Sequence, residues 1–184
     1  MRFIDPRQDR WHRVEGEDGP IPHPDPQADR LLTLEQWHAV RETWPQGLAT
    51  GVVLPNTLDV DALATDLRGP QLRLALVVLQ FPKWTDGRAY SQARVLRARH
   101  RFTGEVRAIG EVLVDMLPLL QRTGFDAVQL RRDQSVEAAV RALGFFAGHY
   151  QGDVLQPQPA FARDLQAEIT ATPRDAGLFA GQGI

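Results

Sequence analysis

The chain predicts an α/β protein built on a parallel sheet. Four apolar runs of strand-like composition alternate with four segments of helical spacing. The breaks between them fall at turn residues such as Gly69-Pro70 and Gly124. Strands that alternate with helices imply right-handed βαβ crossovers. The expected architecture is a four-stranded parallel βαβ sheet in a three-layer α/β/α arrangement, with an irregular N-terminal extension and a C-terminal tail. A half-barrel that completes itself by pairing with a second copy is the alternative.

Residues 1–46 read as the extension. Arg2–Ile4 and Trp11–Val14 suit a short hairpin, and Pro20, Pro22, Pro24 and Pro26 suit an extended linker. Leu32 to Glu42 has helical spacing, with Thr33 as its N-cap. The α/β domain spans residues 47–151. Its first strand is Leu48–Leu54. A helix follows over Asp59–Arg68, with Val60, Leu63, Ala64 and Leu67 on one face. Leu72–Phe81 is the second strand and Gly87–Arg101 the second helix. On that helix Ala89, Ala93, Leu96 and His100 share the face that meets the sheet. Glu105–Ile109 is the third strand. Val112–Arg122 is a helix bent at Pro118, and Phe125–Leu130 is the fourth strand. Ser135 caps a last helix that turns Val136, Ala139, Val140, Leu143 and Phe146 inward. Residues 152–184 lack periodicity and are expected to form a tail, disordered or laid over the surface.

Composition narrows the chemistry. The 184 residues include no cysteine, which excludes a cysteine-ligated iron–sulfur cluster, a catalytic thiol and a Cys-type zinc site within them. No cofactor is predicted, and nothing in the sequence stands against flavin or nicotinamide. The five histidines lack metal-ligand spacing, so no metal is expected. The net charge of −2 gives no reason to expect nucleic acid. There is no basic-then-apolar leader pattern and no apolar run of membrane-spanning length, so no membrane partner is expected and a cytoplasmic location is.

The charge is unevenly spread. Lys83, Arg88, Arg94, Arg97, Arg99, Arg101 and Arg107 stand against only Asp86 and Glu105 between residues 81 and 107. Lys83 is the only lysine in the chain. A strand that runs into Lys83, a Thr85-Asp86-Gly87 turn and an Arg-rich helix sets cations and free N–H groups at the carboxyl edge of a sheet, where anions bind. Thr85 or Asp86 can cap the helix, and Gly87 allows a sharp turn and close approach to a ligand. The third strand ends at Gly110, so Asp115 comes to the same edge, as a site residue or as an ion-pair partner of Arg88. Lys83, Thr85, Asp86, Gly87, Arg88, Ser91, Arg94, Arg97, Arg107, Gly110 and Asp115 are the candidates for binding a small oxyanion or a protein partner. The same pattern also describes a capped, solvated basic helix. No nucleophile elbow, Walker sequence or dinucleotide fingerprint is present, so no catalytic residue is assigned.

Phe81-Pro-Lys-Trp-Thr-Asp-Gly-Arg-Ala-Tyr-Ser-Gln-Ala-Arg-Val-Leu-Arg97 resembles the signature of a bacterial family, domain-of-unknown-function family 934. The likeness continues through Gly104–Asp115 and Arg122–Asp126 to Tyr150-Gln151, and Leu34–Trp37 also fits. The family is described as a proposed oxidoreductase associated with assimilatory sulfite reduction and cysteine biosynthesis. The resemblance therefore implies an accessory or electron-delivery component, partnered with the sirohaem sulfite reductase or its electron donor. A binding protein or small enzyme for an anionic sulfur metabolite, and a non-catalytic structural partner of the reductase, are the alternatives. Where the family often has Cys before Gly-Phe-Asp, this chain has Thr123, a small residue expected to end a helix.

Overall fold

A computed structural model describes residues 1–67, 74–145 and 150–162. At its centre, β5 (Arg30–Thr33), β6 (Thr50–Leu54), β7 (Leu76–Phe81), β8 (Glu105–Gly110) and β9 (Ala127–Val128) run parallel. Two short N-terminal strands, β1 (Arg2–Phe3) and β2 (His12–Arg13), extend this sheet to seven strands in the order β1-β9-β8-β7-β6-β5-β2. The sheet curls into a half-barrel.

Alternation along the strands explains the curl's two faces. Leu32, Val52, Leu54, Val77, Leu79, Phe81, Val106, Ala108 and Val128 project to one side and form the main core with all four helices. Each such aliphatic side chain removed from water contributes about 1.5–3 kcal/mol. The helices are α1 (Leu34–Val40), α2 (Arg88–Ala98), α3 (Leu117–Thr123) and α4 (Val136–Leu143). Among the described residues the other face carries a small cluster of Trp11, Leu31, Val53, Leu76 and Val78, with no helical residue in it. The described helices thus pack on one face, the arrangement of the half-barrel alternative.

The N-terminal extension is more tightly built in than its prolines suggest. Arg2–Phe3 and His12–Arg13 do not form a hairpin with each other. They pair in parallel with β9 and β5, at opposite edges of the sheet. Residues 4–11 thus form a strap between the two edges. The hairpin lies further on, between β3 (Glu15–Gly16) and β4 (Gly19–Pro20). Buried Gln36 anchors it, because its side-chain amide donates to Val14 O at 2.9 Å and Ile21 O at 2.8 Å. Gln36 also completes a capping box with Thr33, as the sequence leads one to expect of that N-cap.

Other elements differ from expectation in identifiable ways. Val60–Leu63 is a 3₁₀ turn, since an i, i+3 pair of apolar residues is buried equally well by one tight turn. Pro118 opens α3 instead of bending it, because its missing N–H is one that a helix start leaves unpaired anyway. In α4, small Ala139 and Ala142 face inward while Val136 and Val140 are 46% and 57% exposed. The expected end of the Asp59–Arg68 helix at Arg68–Pro70, the start of a strand at Leu72, Phe146 and the tail from residue 163 lie outside the described residues. Among those described, no helix is long and apolar enough to cross a membrane.

Candidate functional site

Parallel strands bring their carboxyl ends to one edge, so the loops after β6, β7, β8, β9 and β1 meet there. After β7, the Asp86 N–H donates to Lys83 O at 3.0 Å and closes a tight turn. Asp86 then accepts from the Arg88 N–H at 3.3 Å and from its Nε and Nη2 at 2.9 and 2.6 Å. One carboxylate therefore takes the first N–H of α2 and pairs with the first side chain of the helix. The N-cap position itself is Gly87, which has no side-chain cap, where the sequence predicts Thr85 or Asp86. The Arg88 hydrogen bond holds Asp86 well below the usual carboxylate range, and neighbouring Asn56 acts in the same direction. Arg88 is already balanced, whereas Lys83 is exposed and has no partner among the described residues. Trp84 and Thr85 are exposed beside it.

Gly87 has an ordinary φ of −82°, and a Cβ there would meet only the Tyr90 ring, at 3.6 Å. Its conformational freedom is not used. Gly110 is different: its φ is +98°, and it lies against the end of β7 at the Phe81↔Gly110 register.

The remaining candidates are dispersed. Ser91 and Arg94 are exposed along α2. Arg97 works as a clamp: it donates to Gly124 O at 3.0 Å and Gly104 O at 2.9 Å, and also binds Phe102 O and Asp126. Arg107 projects from β8 on the face away from the helices, and its guanidinium is taken by Glu105 and Asp9. Lys83, Thr85, Asp86, Gly87, Arg88 and Gly110 therefore gather at the edge, and Arg107 stands apart from them. Asp115 follows β8 as an exposed residue and does not pair with Arg88, whose partner is Asp86.

Tyr90 is packed edge-on against Phe81, with ring centroids 5.1 Å apart. Burial, and secondarily the charge of Asp115, pushes its phenol up to about 12. A raised acid pKa means that folding favours the neutral phenol. That contribution is fully present below pH ~10, the ordinary tyrosine value, and is lost as pH rises from there to about 12. An absorbance titration at alkaline pH is expected to show a late tyrosinate transition that Tyr90→Phe removes. A transition at the ordinary tyrosine position instead would mean that the edge is open around this ring.

Two groups escaped sequence reasoning. Buried Gln92 ties α2 to the loop after β6 by donating to Pro55 O at 2.9 Å and Leu58 O at 2.8 Å. Arg131, just after β9, binds Glu111 at 2.8 Å and Asp133 at 2.6 and 2.7 Å. This pairing lowers Asp133 to about 2. The edge rule applied to β9 as well as β7 and β8 points to Arg131-Arg132-Asp133. No sequence signal marks Gln92. Among the described residues no group of three or more His, Cys, Asp or Glu is arranged to hold a metal ion.

The fold and its edge define a single-sided α/β half-barrel with a polar carboxyl edge and a basic first flanking helix. The sequence profile of the bacterial proteins of unknown function DUF934 matches residues 51–161, and the chain belongs to that family. No curated protein and no solved structure matches the chain significantly.

Proposed function

We propose that this protein is a cytoplasmic accessory component of assimilatory sulfite reduction that docks the reductase, or its acidic electron donor, through the outer face of α2. The pathway is suggested by the resemblance of residues 81–97 alone, since the matched family is itself one of unknown function. The observation that carries the docking reading is the unbalanced charge of that face. Arg94 and Arg101 are exposed without a carboxylate partner among the described residues, and with Arg97 they line a hollow of 370 Å³. Arg97 and Arg99, by contrast, are paired with Asp126 and Asp61. Unpaired cations steer an acidic partner and contribute to association rate and selectivity. With no cysteine in the chain, any electron carried here travels on a bound organic cofactor.

A deletion strain is expected to grow on sulfide and not on sulfite as sole sulfur source. Co-elution with the reductase or its donor is expected at low salt and to weaken at high salt. The Arg94→Glu/Arg101→Glu double variant should lose co-elution while melting like the parent, since both side chains are exposed. Equal growth on both sulfur sources would remove the pathway. Undiminished co-elution of the double variant would remove the docking face.

A further inference from the structure

A second feature of the carboxyl edge is a cleft between the ends of β9 and β1. We propose that it binds a small phosphate-bearing organic molecule with a flat apolar body, of the size of a mononucleotide. This inference does not rest on the docking reading. The cleft measures 540 Å³, within the range of roughly 300–1,000 Å³ common to small-molecule sites. It is larger than the hollow beside Arg94, at 370 Å³, and a cleft beneath the N-terminal strap, at 340 Å³. Its position is where open parallel sheets take ligands, outside the carboxyl ends of neighbouring strands. In closed α/β barrels the last loops and an adjoining helix start commonly hold phosphate.

The lining fits such a molecule. Phe3, Ile4, Pro6, Leu130 and Val136 supply apolar wall. Val136 is 46% exposed at the start of α4, apolar surface that a bound ring covers. Arg131 is not the anion receptor, because Asp133 and Glu111 already occupy it. Their pairing fixes the loop. Arg132 beside it also lines the cleft, is exposed, and has no carboxylate partner among the described residues. Gln134 accepts from the Val114 N–H at 3.1 Å through Oε1 and donates from its amide to Asp133, which leaves one amide hydrogen for a phosphate. Ser135 takes the Ala138 N–H at 3.1 Å, leaving the first N–H groups of α4 as further donors. Asp5, a carboxylate in the lining, accepts from the Arg7 N–H at 2.9 Å through Oδ1, and its other oxygen suits a ring N–H or sugar hydroxyl on the ligand body.

The test is calorimetric titration of the full chain with AMP and with flavin mononucleotide, alongside adenosine and inorganic phosphate. At least one mononucleotide is expected to bind. Its dephosphorylated body and free phosphate should each bind about tenfold more weakly or worse, the loss for one charge-assisted phosphate contact. Arg132→Ala should weaken the mononucleotide by a similar factor. Val136→Trp, a change at an exposed position, should fill the cleft and abolish binding without changing the melting temperature. Arg94→Glu should leave binding unchanged, which separates this site from the docking face. Absence of binding by both mononucleotides overturns the proposal. So does binding that survives both Arg132→Ala and Val136→Trp, or phosphate binding as tight as the nucleotide's.

Discussion

Arg107→Ala is expected to destabilise the protein by about 3–5 kcal/mol, the cost of leaving buried charge without its partner. At about 2–4 °C per kcal/mol for a chain of this size, the melting temperature should fall by roughly 6–20 °C. The Arg107 side chain is 5% exposed, and it faces the carboxylates of Glu105 and Asp9, themselves 10% and 16% exposed. Its Nε donates to Glu105 at 2.8 Å, and Arg2 reaches the same carboxylate at 2.6 Å from its exposed position. Truncation therefore leaves Asp9 without an ionic partner and Glu105 with one solvent-screened partner. Asp9 is part of the strap from β1 to β2, and it accepts from the Trp11 N–H at 3.4 Å. Releasing it loosens Trp11 from Leu31, Val53, Leu76 and Val78, the buried apolar cluster on that face. A change in tryptophan fluorescence that precedes global unfolding should report this. Arg107→Lys should not restore stability, because a single ammonium does not reproduce a fork between two carboxylates. Arg107→Met with Asp9→Leu should recover part of the loss, since the buried cation and one of its partners leave together. A loss under about 1 kcal/mol for Arg107→Ala would show that the strap is held by strand pairing alone.

What the sequence made legible follows the range of the interactions involved. The central strands and α2 are visible because burial imposes period on contiguous residues: Ala89, Ala93 and Leu96 are fully buried, and His100 meets Asp61 at 2.8 Å. The Asp86–Arg88 pair is local as well, since the partners stand two positions apart. β1 and β2 are two residues long, so they carry no period, and only pairing with β9 and β5 makes them strands. Arg107 shows the same limit at a site. Its position in the strand alternation puts it opposite Val106 and Ala108 and beside Glu105, but the second carboxylate that receives it lies 98 residues earlier. A cation near a sheet edge reads as a ligand group until such a partner is known. The Val136 and Val140 stripe failed differently: it has helical period, but small Ala139 and Ala142 took the inward face.

Gly110→Ala should be the other large loss, about 3 kcal/mol, or roughly 6–12 °C in melting temperature. Two costs add. The φ of +98° is a conformation that side chains rarely adopt, at about 1–2 kcal/mol for an L-residue in the left-handed region. A Cβ would also stand 2.4 Å from Phe81 O, which is rigid backbone and accepts the Glu111 N–H at 2.8 Å. Relief requires the end of β7 to move, breaking that hydrogen bond at about 1 kcal/mol and shifting fully buried Phe81 under Tyr90. The displacement would spread into the Lys83–Asp86 turn, so Gly110→Ala should disturb the carboxyl edge even in the fraction that stays folded. Gly87→Ala is the control, because an added methyl there meets only a side chain at ordinary contact distance. It should change stability by less than about 1 kcal/mol. Equal tolerance of both substitutions would mean that β7 and β8 do not meet at Phe81 and Gly110. A large loss at Gly110 alone would tie the end of β8 to the shape of the turn that carries Lys83, Asp86 and Arg88.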